Sequence, residues 1–203
     1  SIVVTTGAGE AIQFSAVTGK RTRTLDKMTC SVYSVAFAPD GKAILTASEH
    51  SPVTLWDVKS GKVLRTFGDL YVNPGAEISA DGNSVLTFGQ GITSLWETRS
   101  GKCLRELNDG SARGAVARFH PGGQSIFLFD HVGKGQLVDL KRGRVLRKFD
   151  MGWPHCAQFT AEGKFIVIGS REGTVQLWDV RTGRMMVRLI HLNQGRDWLV
   201  VTG

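Results

Sequence analysis

The chain has 203 residues, 41% hydrophobic and 21% charged, the balance of an ordinary globular domain and not of a disordered or fibrous chain. Lys and Arg number 25 against 18 Asp and Glu, so the formal net charge of +7 raises the question of an acidic partner. No apolar run approaches the roughly 18 residues of a membrane span and no basic-then-apolar leader opens the chain, while Cys30, Cys103 and Cys156 sit at unrelated positions, arguing against a disulfide framework and for a reducing, cytoplasmic setting.

Short apolar runs separated by turn residues predict strands throughout, with no stretch long and periodic enough for a helix. Residues 1–27 open on Ile2-Val3-Val4-Thr5 and predict three strands. Residues 28–67 predict four, among them Val35-Ala36-Phe37, Ile44-Leu45, Val53-Thr54-Leu55-Trp56 and Val63-Leu64-Arg65-Thr66-Phe67. Residues 68–107, 108–149 and 150–189 predict four each, and residues 190–203 one more, at Asp197-Trp198-Leu199-Val200-Val201-Thr202.

Two glycine series keep these units in register. Trp56-Asp57-Val58-Lys59-Ser60-Gly61 recurs as Trp96-Glu97-Thr98-Arg99-Ser100-Gly101, Val138-Asp139-Leu140-Lys141-Arg142-Gly143 and Trp178-Asp179-Val180-Arg181-Thr182-Gly183, with a worn copy at Phe14-Ser15-Ala16-Val17-Thr18-Gly19. The second series, Asp40-Gly41, Asp81-Gly82, Gly122-Gly123 and Glu162-Gly163, runs in phase with it. Each marks a tight turn where glycine takes positive φ without steric cost. Adjacent apolar pairs at Ile44 and Leu45, Val85 and Leu86, Ile126 and Phe127, and Ile166 and Val167 predict strands buried on both faces, as stacked sheets require.

This period and these turns resemble the WD-repeat family of β-propellers, with four strands per blade. The resemblance implies an all-β propeller of four-stranded antiparallel blades: a partial blade at 1–27, full blades at 28–67, 68–107, 108–149 and 150–189, and at 190–203 either the start of a next blade or a strand closing the ring. A piece of a larger propeller is the favoured reading and five-blade closure the alternative. The Gly-His dipeptide usual between blades is missing, and the turns after the second strands carry Glu49-His50, Gln90-Gly91, Val132-Gly133 and Glu172-Gly173. The pattern therefore looks bacterial, which implies an attached effector domain, and it predicts that the Asp-His-Ser/Thr-Trp network is absent.

Motifs for catalysis are missing. There is no phosphate-binding glycine loop, no Gly-x-Gly-x-x-Gly, no Gly-x-Ser-x-Gly, no His-Glu-x-x-His and no Cys-x-x-Cys. His155-Cys156 are neighbours, but adjacent strand residues point to opposite faces. No enzyme activity, cofactor or metal is expected.

What the resemblance implies instead is recognition of a protein or peptide. The side chains at the entrance to each innermost strand line one rim of a propeller channel, and here they vary where core positions repeat. Tyr33, Arg113, Trp153, His155 and Asp197 are the expected partner-binding residues, with Tyr33 and Trp153 as aromatic anchors. The competing reading for Trp153 is that it packs under its own loop, ahead of Pro154. Most Lys and Arg fall in the third turns and fourth strands, where the bland role is to keep exposed strand edges solvated. The alternative function is binding of nucleic acid or another polyanion there, although no aromatics interleave with the basic residues as a stacking platform needs. No membrane partner is expected. The third full repeat, with Val138 for Trp and Gly133 and Gly135 around Lys134, is expected to be the weakest.

Overall fold

A computed structural model describes residues 2–5, 11–25, 31–68, 75–89, 92–107, 116–130, 132–192 and 197–202. Among these, all regular structure is strand. The first sheet holds β1 (Ile2–Thr5), β2 (Ala11–Phe14) and β3 (Arg21–Leu25). The second holds β4 (Val32–Phe37), β5 (Ala43–Ser48), β6 (Val53–Asp57) and β7 (Val63–Phe67), and the third β8 (Gly75–Ile78), β9 (Ser84–Gly89), β10 (Ile92–Glu97) and β11 (Cys103–Leu107). The fourth holds β12 (Val116–Phe119), β13 (Ser125–Phe129), β14 (Lys134–Asp139) and β15 (Val145–Asp150). The fifth holds β16 (Pro154–Phe159), β17 (Phe165–Ser170), β18 (Thr174–Asp179), β19 (Arg184–Leu192) and β20 (Asp197–Thr202). Every sheet is an antiparallel meander with its strands in chain order. The chain divides into two compact units, Ser1–Ala112 and Arg113–Gly203.

The turns explain the glycine spacing. Gly61, Gly101, Gly143 and Gly183 sit at φ between 69° and 74° and each donates its N–H to the carbonyl four residues back, at Asp57, Glu97, Asp139 and Asp179. The acidic side chain closes the same turn from inside. Asp57 Oδ1 accepts from the Ser60 N–H and Oγ at 2.6 Å each, and Asp179 Oδ1 accepts from the Thr182 N–H at 2.7 Å and Oγ1 at 2.8 Å. An acid three residues before Ser or Thr and four before Gly is thus a local turn code.

Trp56, Trp96, Val138 and Trp178 occupy one site in the third strands β6, β10, β14 and β18. Their cross-strand partners are Ile44, Val85, Ile126 and Ile166 on one side and Val63, Cys103, Val145 and Met185 on the other. Phe14 of β2 holds the same place between Ile2 and Arg21. In all five the register shifts just before this residue, so one bulge is repeated in every sheet.

The expectation that the Trp network is absent is corrected in part. Trp56 Nε1 donates to Thr46 Oγ1 at 2.8 Å and Trp96 Nε1 to Thr87 Oγ1 at 2.9 Å, each across to the second strand of its own sheet. Ile168 stands where those threonines would in β17, and Trp178 Nε1 donates instead to Gln176 Oε1 of its own strand, at 2.8 Å. In the fourth sheet Leu128 and Val138 replace both partners, which leaves no polar group unpaired.

Within each unit the sheets stack face to face. Leu45, Val53, Leu55 and Phe67 of the second sheet pack with Ala76, Val85 and Trp96 of the third. Phe127, Phe129 and Phe149 of the fourth pack with Phe159, Ile166, Ile168 and Trp178 of the fifth. Two contacts repeat: Phe67 meets Trp96 with ring centroids 6.3 Å apart, and Phe149 meets Trp178 at 6.0 Å. β5 is buried along its whole length because both faces are covered. β17 alternates, with Ile166 and Ile168 fully buried and Val167 37% exposed, so one face of the fifth sheet is open.

The fourth sheet is not poor in aromatic burial, because Phe127 makes edge contacts with Phe149 at 5.1 Å and Phe159 at 6.2 Å. Gly135 makes room for this: a Cβ there would lie 2.7 Å from Met151 Cε and 2.9 Å from Phe127 Cζ. The last strand, β20, is the fifth of its sheet. It pairs with β19, Arg188 facing Val201 and Leu192 facing Asp197. The nine residues of β19 are long enough to pair with β18 on one edge and β20 on the other.

Candidate partner-binding site

The strand-entrance residues are placed by backbone hydrogen bonds at the leading ends of β4 and β16. The Ser31 carbonyl accepts from the Glu49 N–H at 3.1 Å, and the Trp153 carbonyl accepts from the Arg171 N–H at 2.9 Å, so Ser31 and Trp153 are equivalent. Two residues on, each strand bulges. Val32 pairs with Ser48 and Ser34 with Ala47, which leaves Tyr33 unpaired, and the same shift between Pro154 and Cys156 leaves His155 unpaired. A bulged residue is re-aimed out of the pleat. Tyr33 is 57% exposed and His155 is exposed.

In the first unit, Tyr33 Oη donates to Glu49 Oε2 at 3.2 Å. The Glu49 carboxylate, first through its charge and then through this hydrogen bond, raises the phenol above its ordinary pKa, keeping it a neutral donor. His50, beside Glu49 in the same turn, adopts a positive φ of 54°.

In the second unit, Trp153 is 50% exposed on a segment held from below. Met151 is fully buried; its N–H donates to the Gly133 carbonyl at 2.9 Å and its carbonyl accepts from Gln176 Nε2 at 3.1 Å. The turn that carries Gly133 is closed by buried Asp130, whose Oδ1 accepts from the N–H groups of Val132 and Lys134 at 3.1 and 2.8 Å. A Cβ at Gly133 would fall 1.8 Å from the Gly152 carbonyl oxygen, so only glycine permits this approach. The exposure of Trp153 goes against its packing under its own loop.

Trp153 and His155 therefore share the entrance to β16, while Tyr33 belongs to the other unit. Arg113 lies outside the described residues. Asp197 is the first residue of β20, opposite Leu192, and its strand lies on β19. The supporting residues Met151, Gln176, Gly133 and Asp130 are invisible to motif reading; the signal present was the glycine pair around Lys134. Among the described residues, no group of three or more His, Cys, Asp and Glu is arranged to hold a metal ion, and no helix is long and apolar enough to cross a membrane.

The outer-strand arginines add a contact to their place on the exposed strands, Arg65 and Arg147 remaining exposed. Arg23, Arg65, Arg105 and Arg147 face Gln13, Leu55, Leu95 and Leu137 at one repeated position. Arg23 lies against Gly61, Arg65 against Gly101 and Arg147 against Gly183, each the turn glycine of the next sheet.

Comparison with known proteins agrees with this architecture. The model of the family described as WD domain, G-beta repeat, matches residues 19–57 and 146–179. The chain is 24% identical to apoptotic protease-activating factor 1 of Mus musculus over 172 residues, covering 82% of this chain and 13% of that protein. It is 25% identical to serine-threonine kinase receptor-associated protein of Mus musculus over 168 residues, covering 77% of this chain and 45% of that protein, and 25% identical to its Gallus gallus counterpart over 169 residues, with the same coverage. The chain thus spans between 13% and 45% of the length of these relatives. The four-stranded antiparallel sheets, the repeated third-strand site and these matches make the chain similar to WD-repeat proteins, with sheets consistent with WD-repeat propeller blades.

Proposed function

We propose that this chain is a non-catalytic interaction module that binds a protein or peptide through the strand-entrance residues Trp153 and His155, with Tyr33, Arg113 and Asp197 carried from their sequence positions. The observation that carries it is Trp153: a half-exposed indole on backbone whose neighbours are tied by hydrogen bonds at Met151 and Arg171. A large aromatic surface already held in place loses little conformational entropy on binding, the property of interface anchors. The names of the relatives, a protease-activating factor and a receptor-associated protein, fit a protein partner. An attached effector domain, a bacterial parent and a cytoplasmic location rest on the sequence pattern alone.

Polyanion binding along the outer strands is the less supported reading, since no aromatics interleave with the basic residues there. Selection of binders from a displayed peptide library, followed by titration, tests the choice. Trp153→Ala should weaken the selected peptides by at least about fivefold, roughly 1 kcal/mol, while Lys62→Glu and Lys102→Glu leave affinity unchanged. The reverse result replaces the rim with the outer strands.

A further inference from the structure

At the end of the sheets opposite Trp153, where the glycine turns lie, a cavity of about 440 Å³ opens between the fourth and fifth sheets. It is lined by Arg147 from β15, Lys164 from the turn between β16 and β17, and Arg181 from the turn after β18. Among the described residues Asp179 is the one carboxylate in its wall, and it is engaged by the Thr182 N–H and hydroxyl. Among the described residues none of the three cations has a carboxylate within salt-bridge distance. Leu137 supplies an apolar floor.

His120 lines this groove and bridges its two sheets. Its Nδ1 accepts from the Gly122 N–H at 2.9 Å and its Nε2 lies 3.0 Å from the Gly163 carbonyl, so the neutral tautomer with the proton on Nε2 satisfies both. The ring stands edge-on to Phe159 at 5.0 Å. His120 is thus a strut from the fourth sheet to the turn that carries Lys164.

The first unit contains the equivalent groove as an internal contrast. A cavity of about 420 Å³ between the second and third sheets is lined by Leu55 where the other has Leu137, Gly82 for Gly163 and Asn83 for Lys164, with Asp40 and Asp81 in its wall. Arg65 and Arg99 hold in the first unit the places of Arg147 and Arg181, so what sets the second groove apart is Lys164 in place of Asn83 and the absence of Asp40 and Asp81 from its lining.

We propose that the groove between the fourth and fifth sheets binds a phosphate group carried on a peptide or protein segment. Three cations against one engaged carboxylate leave a net charge of +2, which complements a phosphate dianion and over-compensates a single carboxylate. A cavity of this volume admits the residue bearing the phosphate as well as the phosphate itself, and the leucine floor contacts its carbon atoms. The peptide carrier rests on the interaction-module reading, whereas the phosphate site stands on the groove alone.

The test is amide NMR of the whole chain titrated with a short phosphoserine peptide, its unphosphorylated form, inorganic phosphate and a single-stranded oligonucleotide. The phosphopeptide is expected to give saturable shifts at Lys164, Arg181 and Gly183, absent at Asn83, Arg99 and Gly101, and Arg181→Glu and Lys164→Gln are each expected to weaken it at least tenfold. Arg147 is left intact because it also lies against Gly183. No saturable shift, equal shifts in both grooves, or unchanged affinity in both variants overturns the site. Inorganic phosphate binding as tightly as the phosphopeptide, or the oligonucleotide binding more tightly, overturns the peptide carrier. Trp153→Ala should leave these shifts unchanged, so failure of the rim reading is read separately.

Discussion

Arg65 reaches from its own sheet to the turn of the next, where Nη2 donates to the Arg99 carbonyl at 2.8 Å and the side chain covers Gly101 so closely that a Cβ there would lie 2.8 Å from Arg65 Cδ. The guanidinium answers a carbonyl at the exposed end of the turn, and the stem packs on glycine backbone. Arg23 over Gly61 and Arg147 over Gly183 repeat the arrangement. Arg65→Ala should therefore destabilise the fold by about 1–2 kcal/mol, more than Lys62→Ala in the same outer segment. Urea midpoints at unchanged slope check this.

Trp56 and Thr46 should be energetically coupled. Trp56→Phe leaves the buried Thr46 hydroxyl without its donor, at a cost of about 1–3 kcal/mol, and adding Thr46→Val should recover part of that loss. Val138 beside Leu128 in the fourth sheet is the natural double replacement. A double-mutant cycle in denaturant measures the coupling; strict additivity would contradict it.

Gly135→Ala should cost about 1–3 kcal/mol, because the added methyl meets Met151 and Phe127 and both are fully buried. For the same reason the amides of β14 and β15 should exchange no faster than those of β6 and β7, contrary to what Val138 alone suggests. Hydrogen exchange followed by mass spectrometry or NMR decides it.

Asp57 and Asp179 are held below the usual carboxylate range, first by the Ser60 and Thr182 hydroxyls and then by the backbone N–H groups of those residues. Protons bind the unfolded carboxylates more readily than the folded ones, so these turns add stability above the unfolded pKa of about 3.9 and lose it as pH falls through the lowered folded values. Ser60→Ala with Thr182→Ala should flatten the fall in stability below about pH 4 and leave its shape unchanged between about pH 6 and 8. Urea midpoints across that range provide the measurement.

Much of the architecture was legible because it is local. A glycine four residues after an acid, with Ser or Thr between, makes its turn from groups within five residues, and Asp57 through Gly61 does so in the second sheet much as Asp179 through Gly183 does in the fifth. Strand number, strand order within each sheet and the shared place of Trp56, Trp96, Val138 and Trp178 follow from such turns and from the period between them. The exposed aromatics Tyr33 and Trp153 were also found from the contrast between repeating and varying positions.

What only the tertiary structure decided involves partners beyond the turn, up to 43 residues apart for His120 and Gly163, or a bulge that has no residue code. Whether Arg65 is a solvated edge charge or a latch depends on the next sheet placing Gly101 beneath it. Whether Gly135 weakens a strand or admits Phe127 depends on Met151 arriving from beyond β15. Tyr33 and His155 turn outward because one strand in each pair carries an extra residue, and at the basic groove His120 bridges the two sheets. A repeat keeps each residue's local surroundings constant; stacking determines which distant side chain it meets, and the charges at those meetings differ from one pair of sheets to the next.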